Sequence, residues 1–255
     1  MTAEQVKEYL ERMGAEYRTG ATAGYLAHLQ YAHLTSVPYE NMDILRGVEL
    51  SLDGDDLFDK IVTRRRGGYC FELNKLFGLL LGALGYTVTN YVARYLRGET
   101  GIPHRRHQVL GVKCADGQEF LADVGVGAVI PLFPVPFAPG TLSEQENGVY
   151  AIREDGIFGR VLTERMEDGS FRDVYGFTLD EQLAPDFDYP SFWCQHSPDS
   201  PFNKKPMLSI RAEGNLRHTL DGELYRIFSP EGVSETLLSP EDAQRVISGV
   251  FGIRL

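Results

Sequence analysis

Apolar residues recur every three or four positions in the first third of the chain, a spacing that buries one face of a helix. Thr2 and Gln5 are spaced as in a capping box, so the first helix is predicted to begin beside them. The pattern predicts three helices, which contain residues 6–13, 23–34 and 70–84. Gly85 ends this pattern, and residues 1–85 are therefore predicted to form a helical domain.

From Tyr86 onward, apolar residues alternate with polar ones, as they do in strands that bury one face. Turns rich in Gly, Asp and Pro separate six predicted strands, at residues 88–96, 107–112, 119–124, 149–153, 158–166 and 171–177. The Pro-rich residues 131–139 are predicted to be an ordered crossing loop. So many short antiparallel strands indicate a barrel or a strongly curled sheet, and residues 86–190 are predicted to form this β-barrel domain.

The remaining residues, 191–255, mix the two patterns. Strands are predicted at residues 206–212, 216–220 and 224–228. Ser239 and Pro240 are typical of a helix start, with serine as N-cap and proline at the first helical position, and the helix is predicted to end near Phe251. This last part is expected to be an α/β lid. The predicted fold class is therefore α+β, with an N-terminal helical bundle, an antiparallel β-barrel and a C-terminal α/β lid.

Charge and hydropathy exclude several functions. The 255 residues carry a formal net charge of −11, which disfavours non-specific binding to nucleic acid. An anionic ligand would need local positive charge, for which the candidate patches are residues 64–66, 105–106 and 204–205. There is no long apolar segment, and the N-terminus lacks the basic and apolar regions of a signal peptide. A soluble, cytoplasmic protein with no membrane contact is therefore expected.

The chain contains three cysteines, Cys70, Cys114 and Cys194. They are too far apart in the sequence for metal-ligand spacing and give no disulfide framework, so no metal is expected. Cys114 and Cys194 are interpreted as ordinary free thiols.

Cys70 differs from the other two because it follows a basic segment and begins a predicted helix. A thiol at the positive end of a helix dipole, beside guanidinium groups, is expected to have a lowered pKa. Gly67 and Gly68 are expected to allow a sharp turn and to leave room for a substrate carbonyl near the sulfur. Acyl transfer is the chemistry that such a site favours. The alternative is an inert, buried thiol.

A histidine and an aspartate lie on the two strands of a predicted hairpin. His107 begins the first strand, Asp123 lies near the end of the second, and an Ala-Asp-Gly turn signal separates the strands. A three- or five-residue loop centred on Ala115 would put His107 directly opposite Asp123, whereas a two-residue turn would put them on opposite faces. Cys70, His107 and Asp123 could then serve as nucleophile, base and orienting carboxylate.

Several motifs are similar to those of one known family. They are Arg66-Gly67-Gly68-Tyr69-Cys70-Phe71-Glu72-x-Asn74, His107, Asp123-Val124-Gly125-Val126-Gly127, Tyr9-Leu10-x-Arg12-Met13, Val37-Pro38-Tyr39-Glu40-Asn41 and Ser197-Pro198-x-Ser200-x-Phe202. In these motifs the sequence resembles the arylamine N-acetyltransferase family over most of its length. The resemblance implies transfer of acetyl from acetyl-CoA to a small aromatic amine or hydrazine, by a ping-pong mechanism through an acetyl-cysteine intermediate.

The resemblance also suggests residues that bind the two substrates. Three residues match positions that line the acyl or acceptor pocket of the family: Tyr39, Val126 and Phe202. Three more match positions that meet CoA: Pro103, His104 and Lys204. The alternatives are core packing for the first group and, for His104, a solvent-exposed loop. Val126 departs from the family, which often has a large aromatic residue at this place.

Three further residues of the matching motifs are Arg12, Glu40 and Arg66. A partly buried cluster that braces the cysteine loop is expected for them, in preference to a direct part in the chemistry.

Two other function classes remain open from the sequence. The same three residues could deliver an acyl group to water or to lysine, as in a cysteine hydrolase or a transglutaminase-like enzyme. A binding protein with an inactive relic of the site is the third class, and the presence of all three residues argues against it.

Overall fold

The structure, a computed structural model, describes residues 1–128 and 130–254. Its N-terminal part contains the long helices α1 (Ala3–Met13), α2 (Ala23–Ser36) and α5 (Cys70–Ala83) and the short helices α3 (Met42–Leu45) and α4 (Gly54–Phe58). A π-helical turn, Asp59–Thr63, follows α4. The three predicted helices are confirmed. The short helices were not predicted, because a single turn carries no visible period.

Local hydrogen bonds explain where α1 begins and ends. Thr2 Oγ1 accepts a hydrogen bond from Gln5 N at 3.2 Å, and Gln5 Oε1 accepts one from Thr2 N at 2.9 Å, which completes the predicted capping box. Gly14 ends the helix with a left-handed φ of 67°, a conformation that glycine adopts without strain.

The central part is an antiparallel sheet of eight strands that curls into a nearly closed barrel. The strands are β2 (Thr87–Tyr95), β3 (Arg105–Lys113), β4 (Glu119–Ala122), β5 (Val135–Pro136), β6 (Ser143–Gln145), β7 (Gly148–Asp155), β8 (Gly159–Arg165) and β9 (Phe171–Phe177). Their order is β5-β4-β3-β2-β9-β8-β7-β6. The Gln145 side chain of β6 exchanges hydrogen bonds of 3.0 Å with the backbone of Phe133, close to β5, and so ties the two ends of the sheet together.

The barrel confirms the six predicted strands and corrects one prediction. The Pro-rich segment predicted as a crossing loop contributes β5, which pairs with β4 through Phe120↔Pro136 and Leu121↔Val135. Proline is tolerated there because β5 is an edge strand of the sheet.

The C-terminal part is a second antiparallel sheet, covered by the last helix. It consists of β1 (Tyr39–Glu40), β10 (Met207–Ala212), β11 (Leu216–Asp221), β12 (Leu224–Ser229) and β13 (Gly232–Leu237), in that order. Helix α6 (Asp188–His196) precedes the sheet and α7 (Pro240–Gly249) follows it. Strand β1 comes from the N-terminal part, so this sheet links the two ends of the chain.

The core is divided among the three parts. One cluster fills the space between the N-terminal helices and one face of β3 and β4, a second fills the barrel, and a third lies between the C-terminal sheet and α7. Helix α5 is central to the first cluster, because Leu76, Phe77, Leu80 and Leu81 are fully buried and share the cluster with Leu110. The first residue of α5, Cys70, therefore lies where the helices meet the barrel. No helix in the described residues is long and apolar enough to cross a membrane.

Candidate active site

Cys70 is the first residue of α5 and is buried. Its Sγ lies 3.6 Å from the backbone oxygen of Arg106, the residue before His107 on β3. The side chain of Glu72 accepts a hydrogen bond of 3.0 Å from Tyr69 N and so closes the start of the helix. The capping carboxylate and the neighbouring strand together fix the position of the sulfur.

His107 and Asp123 are joined by a hydrogen bond, with 2.7 Å between Nε2 and Oδ2. Nε2 is thus engaged with the carboxylate, and the His107 ring forms its second hydrogen bond with Cys70. The three residues predicted to act together are therefore in contact, in the order Cys70, His107, Asp123.

The predicted register of the hairpin was wrong by two residues, since a loop centred on Ala115 would have placed Gly111 opposite Glu119. Gly111 faces Leu121, so the loop is centred on Asp116 and not on Ala115. The reason lies in the turn, where the Asp116 carboxylate accepts a hydrogen bond from Gln118 N at 3.0 Å. A shift of two residues keeps His107 and Asp123 on the same face of the hairpin, so their contact survives the correction.

Asn74 connects the cysteine helix to the aspartate. It lies one turn after Cys70 on α5, and its Nδ2 donates to Asp123 Oδ1 at 2.8 Å. The same amide accepts a hydrogen bond from Val124 N at 3.0 Å and donates one to Gln108 O at 2.7 Å. This single side chain therefore fixes the helix against β3, which carries His107, and against the segment directly after β4, which carries Asp123.

Two further residues support the aspartate and were not found from the sequence. Gln30 Oε1 accepts a hydrogen bond from Asp123 N at 3.2 Å, and the Tyr175 hydroxyl forms a hydrogen bond with the carboxylate. Asn74 could have been identified, since a residue four positions after Cys70 lies on the same helix face. Gln30 and Tyr175 give no such signal, because both are far from Asp123 in the sequence.

The predicted lowering of the Cys70 pKa is wrong, because the sulfur is buried. Burial raises the pKa of the Cys70 thiol above its ordinary value, and the hydrogen bond and charge of His107 act against this effect. Burial also lowers the pKa of His107, but Asp123 and Cys70 outweigh it and raise that pKa to about 10. The imidazole is therefore a base strong enough to take the thiol proton.

The arginines before Cys70 do not lower its pKa as predicted. Arg64 and Arg65 are exposed, and Arg64 forms an ion pair with Asp59 at 2.8 Å. Arg66 is buried and directed to carboxylates, with 2.7 Å between its Nη2 and Glu40 Oε1. Within the described part of the chain, the positive charge nearest the sulfur is therefore supplied by His107 itself.

A buried cluster of charged side chains, here called the brace cluster, lies beneath the loop that precedes Cys70. It consists of Glu40, Asp43, Lys60, Arg66 and Glu72. Lys60 Nζ lies 2.7 Å from both Asp43 and Glu72, and Arg66 lies 3.0 Å from Asp43. Burial would raise the pKa of Asp43, but Lys60 and Arg66 together lower it, so this carboxylate is charged at neutral pH. The cluster thereby connects β1, α3 and the start of α5.

Arg12 does not join this cluster. Its guanidinium donates to backbone oxygens, at 3.2 Å to Ile61, 2.6 Å to Ser36 and 3.5 Å to Arg65. The predicted brace is therefore formed by Glu40 and Arg66, while Arg12 supports the loop through its backbone.

Replacing Arg66 with methionine is expected to lower the free energy of unfolding by about 3–5 kcal/mol, because two buried carboxylates lose their partner. Denaturant unfolding would measure this loss. Arg64→Met is the matched control: Arg64 is an exposed, ion-paired arginine two positions away, and a change below about 1 kcal/mol is expected. Equal, small effects of both substitutions would contradict a stabilising role for the brace cluster.

The two glycines before Cys70 allow close packing and not a sharp turn. In residues 65–68, only Arg65 has a left-handed φ, of 54°. A Cβ at Gly67 would lie 2.0 Å from Pro38 O, and one at Gly68 would lie 2.9 Å from the Glu72 side chain. Any larger residue would therefore push the loop away from β1 and from the capping carboxylate.

A pocket of approximately 260 Å³ opens at the sulfur. Cys70 and His107 line one side of it, and the wall includes Tyr39, Val126 and Phe202. The structure thus brings together all three residues that were expected to meet the acyl group or the acceptor. Gly127 lets the wall close, since a Cβ there would lie 2.6 Å from the Tyr39 ring.

The residues expected to meet CoA lie around this pocket and not in its wall. Exposed His104 lines a neighbouring surface hollow of approximately 510 Å³, with its ring 4.8 Å from that of Trp193. Pro103 is buried and its carbonyl accepts a hydrogen bond from Arg94, while Lys204 is exposed just after Phe202. Of the three basic patches, residues 105–106 come closest, because Arg106 lines the pocket and Arg105 lines the hollow.

Comparison with known proteins agrees with this arrangement. A family model described as N-acetyltransferase matches residues 23–255. The arylamine N-acetyltransferase of Mycobacterium tuberculosis strain H37Rv is 34% identical over 255 residues, which cover 97% of this chain and 88% of that relative. The solved structure of the Mycobacterium marinum enzyme superimposes with a TM-score of 0.91 at 30% identity, covering 97% of this chain and 92% of the other.

A second structure of the Mycobacterium marinum enzyme, in complex with CoA, matches with a TM-score of 0.90 at 30% identity, with 97% and 92% coverage. Sequence, fold and near-complete coverage in both directions lead to one conclusion. The chain is an acyltransferase and belongs to the arylamine N-acetyltransferase family.

Proposed function

We propose that this protein transfers an acetyl group from acetyl-CoA to aromatic amines or hydrazines through an acetyl-Cys70 intermediate. The observation that supports it most directly is the buried series Cys70, His107, Asp123, which opens into the pocket of approximately 260 Å³. Relatives named as arylamine N-acetyltransferases, one of them solved with CoA, support the choice of substrates.

In the first half-reaction, His107 takes the proton of Cys70 and the thiolate attacks the thioester carbonyl. At the start of α5, Tyr69 N is bonded to the Glu72 carboxylate, and Glu72 N and Leu73 N are bonded to Tyr69 O. The backbone N–H groups of Cys70 and Phe71 would therefore stabilise the oxyanion. As the tetrahedral intermediate collapses, the C–S bond to CoA breaks and CoA leaves as a thiol with the proton that His107 returns. The acetyl group then remains on Cys70.

In the second half-reaction, the amine attacks the acetyl carbon and His107 accepts its proton. The bond between Cys70 and the acetyl group breaks, and the proton returns to the sulfur. Asp123 keeps the proton of the imidazole on Nε2 in the neutral state, so that the other ring nitrogen remains free as the base.

Acetyl-CoA and the acceptor amine would enter the same pocket in turn, and each would react at Cys70. Tyr39, Val126 and Phe202 would contact the acyl group or the aromatic ring. The basic and aromatic groups near the mouth suit an anionic nucleotide, and we assign the CoA contacts to Arg106, Pro103, His104 and Lys204. We further propose a cytoplasmic location, where acetyl-CoA is available.

Mass spectrometry of the protein after exposure to acetyl-CoA tests the intermediate. A mass increase of one acetyl group, located on the peptide that contains Cys70 and removed by an arylamine, is the expected result. Cys114→Ala is the matched control and should still be acetylated. Release of acetate in place of acetylated arylamine would instead indicate the hydrolase alternative.

Val126→Phe is expected to narrow the pocket and change the substrate preference. Pocket-size discrimination in an apolar site is worth about 1–3 kcal/mol per methylene. The value of kcat/KM should therefore fall roughly tenfold or more for large arylamines or propionyl-CoA, and less for small arylamines with acetyl-CoA. Val233→Phe, on the exposed edge strand β13, is the control. Equal losses for large and small substrates would mean that neighbouring side chains refill the space.

A further inference from the structure

Asn41 is the last residue of one of the motifs that resemble the family, and it is 2% exposed. It is also the N-cap residue of α3, a place where an asparagine side chain usually accepts a hydrogen bond from the first turn of the helix. Within the described part of the chain, Asn41 forms no such bond with α3. The Glu40 carboxylate instead accepts a hydrogen bond of 2.9 Å from Met42 N. The amide of Asn41 is therefore used elsewhere.

The Asn41 amide bonds the backbone of the segment that leads into β10. Its Nδ2 donates to Phe202 O at 2.7 Å and to Lys205 O at 2.8 Å, and its Oδ1 accepts from Met207 N at 2.8 Å. Both N–H groups of the amide are thus engaged, together with its oxygen. One buried side chain therefore fixes residues 202–207, although they lie at least 161 positions further along the chain.

These bonds extend the short ladder between β1 and β10. The ladder ends at Glu40↔Leu208, and the next pair along would join Asn41 to Met207. The backbone of Asn41 has already left the strand conformation, with a ψ of 20°, and its oxygen accepts a hydrogen bond from Leu45 N of α3. The Asn41 side chain therefore supplies the acceptor for Met207 N that a backbone carbonyl would supply in a longer strand.

The segment that Asn41 holds forms one wall of the pocket at Cys70. Phe202 and Met207 line that pocket, and Asn41 bonds the backbone of both. The Phe202 ring also packs edge-on against Tyr69, the residue before Cys70, with 6.0 Å between the ring centres. The sulfur of Cys70 is buried behind this wall, so the position of the wall controls how much water reaches it.

We propose that Asn41 is a positioning residue that keeps this wall closed and so protects the acetyl-Cys70 intermediate from hydrolysis. The inference rests on the proposed function. In hydrolysis, His107 would accept a proton from water, the remaining hydroxide oxygen would bond to the acetyl carbon, and the C–S bond would break. Acetic acid would leave, and the proton would return from His107 to the sulfur. Exclusion of water prevents this side reaction until an amine enters.

Two substitutions of Asn41 test the proposal. Asn41→Asp keeps the size and an oxygen for Met207 N, but it loses both donors and directs a carboxylate at two backbone oxygens. Asn41→Ala loses all three bonds. The protein is acetylated with acetyl-CoA, free CoA is removed, and loss of the acetyl group from Cys70 into water is followed by mass spectrometry. With at least two hydrogen bonds lost, hydrolysis should be about tenfold faster in both variants, and KM for an arylamine should rise by a similar factor.

Asn147→Ala is the matched control. Asn147, in the turn between β6 and β7, also donates its amide to a backbone oxygen at 2.7 Å, that of Ile130. Its ratio of hydrolysis to arylamine acetylation should equal that of the unmodified protein. An unchanged ratio in the Asn41 variants would mean a purely structural role and would overturn the proposal. A folded Asn41 variant that acetyl-CoA no longer acetylates would also overturn it.

Phe202→Ala tests the wall even where the Asn41 variants do not fold. It leaves Asn41 in place and removes the ring that the segment presents to the pocket, so hydrolysis should again be about tenfold faster. Adding Asn41→Asp to Phe202→Ala should change hydrolysis by no more than about twofold, because both substitutions act on the same wall. Unchanged hydrolysis in Phe202→Ala, or two effects that multiply, would overturn the proposal.

Alkylation of unacetylated Cys70 distinguishes this inference from the proposed function, because it needs no acetyl-CoA. The probes are iodoacetamide and the bulkier N-phenylmaleimide. Relative to iodoacetamide, N-phenylmaleimide should react about tenfold faster with Asn41→Asp than with the unmodified protein. If acetyl-CoA does not acetylate Cys70, the proposed function fails, yet this gain would still show that Asn41 holds the wall. If Cys70 is acetylated and neither hydrolysis nor alkylation changes, the proposed function stands and the role of Asn41 is overturned.

Discussion

Replacing Cys70 with alanine is expected to abolish both half-reactions. Among the described residues, Cys70 is the only thiol that lines the pocket, and His107 serves in this mechanism as the proton carrier. Loss of a nucleophile that acts together with its base lowers kcat by roughly 10⁶-fold in a comparable triad, so kcat for arylamine acetylation should fall by a similar factor. The measurements are CoA release without acceptor and steady-state acetylation of an arylamine.

The Cys114→Ala protein provides the comparison, because Cys114 is also a buried free thiol but lies in the hairpin loop after β3. It should retain near-normal turnover. Initial-rate plots of the unmodified protein should be parallel, as a ping-pong mechanism requires. Near-normal turnover by Cys70→Ala, or intersecting plots as for a ternary complex, would contradict the acetyl-Cys70 intermediate.

Features with a local cause could be predicted from the sequence. The first helix begins at Thr2 because its capping box needs only residues three apart, and α5 begins at Cys70, where the apolar period starts. The contact between His107 and Asp123 was also predictable, although the register was not. Side chains alternate between the two faces along a strand, so a shift of two residues left both residues on one face.

Features that depend on distant contacts could not be predicted. Strand β1 has two residues and exists because Tyr39 pairs with Ser209, far along the chain. The position of Gln30 behind Asp123, and of Asn41 beside Phe202, likewise follows from how whole elements pack. A sequence pattern shows the hydrophobic period of a helix or strand, but it does not show which other elements pack against it.

The pKa of the Cys70 thiol also depends on contacts that are distant in the sequence. The position at a helix start was correctly identified, and it predicts a lowered pKa for Cys70. Burial acts in the opposite direction and is the largest cause, but it depends on what covers the sulfur. Activation therefore rests on His107, whose pKa Asp123 raises, and less on the basic residues beside Cys70.

Asp123→Asn is expected to lower kcat by about 10³–10⁴-fold while leaving the fold intact. The amide oxygen can still accept the hydrogen bonds of Asn74 and Gly125 at the Oδ1 position. The amide nitrogen would then face His107 Nε2 as a donor, so the imidazole proton moves to Nδ1, the nitrogen that faces Cys70. A ring with its proton on that side cannot accept the thiol proton.

The pH dependence separates this effect from a general loss of stability. His107 has a raised pKa of about 10 in the folded protein, so its contribution to stability is complete below its unfolded pKa of about 6.5 and is lost as pH rises through about 10. In Asp123→Asn that pKa should fall, since the carboxylate that raises it is gone and burial remains. The stability difference between the two proteins should therefore shrink above pH 10, and alkylation of Cys70 by iodoacetamide should need a higher pH in the variant.

Asp116→Asn, at the exposed tip of the same hairpin, should change neither activity nor alkylation. An Asp123→Asn protein with activity within tenfold of the original would show that the carboxylate does not set the imidazole tautomer.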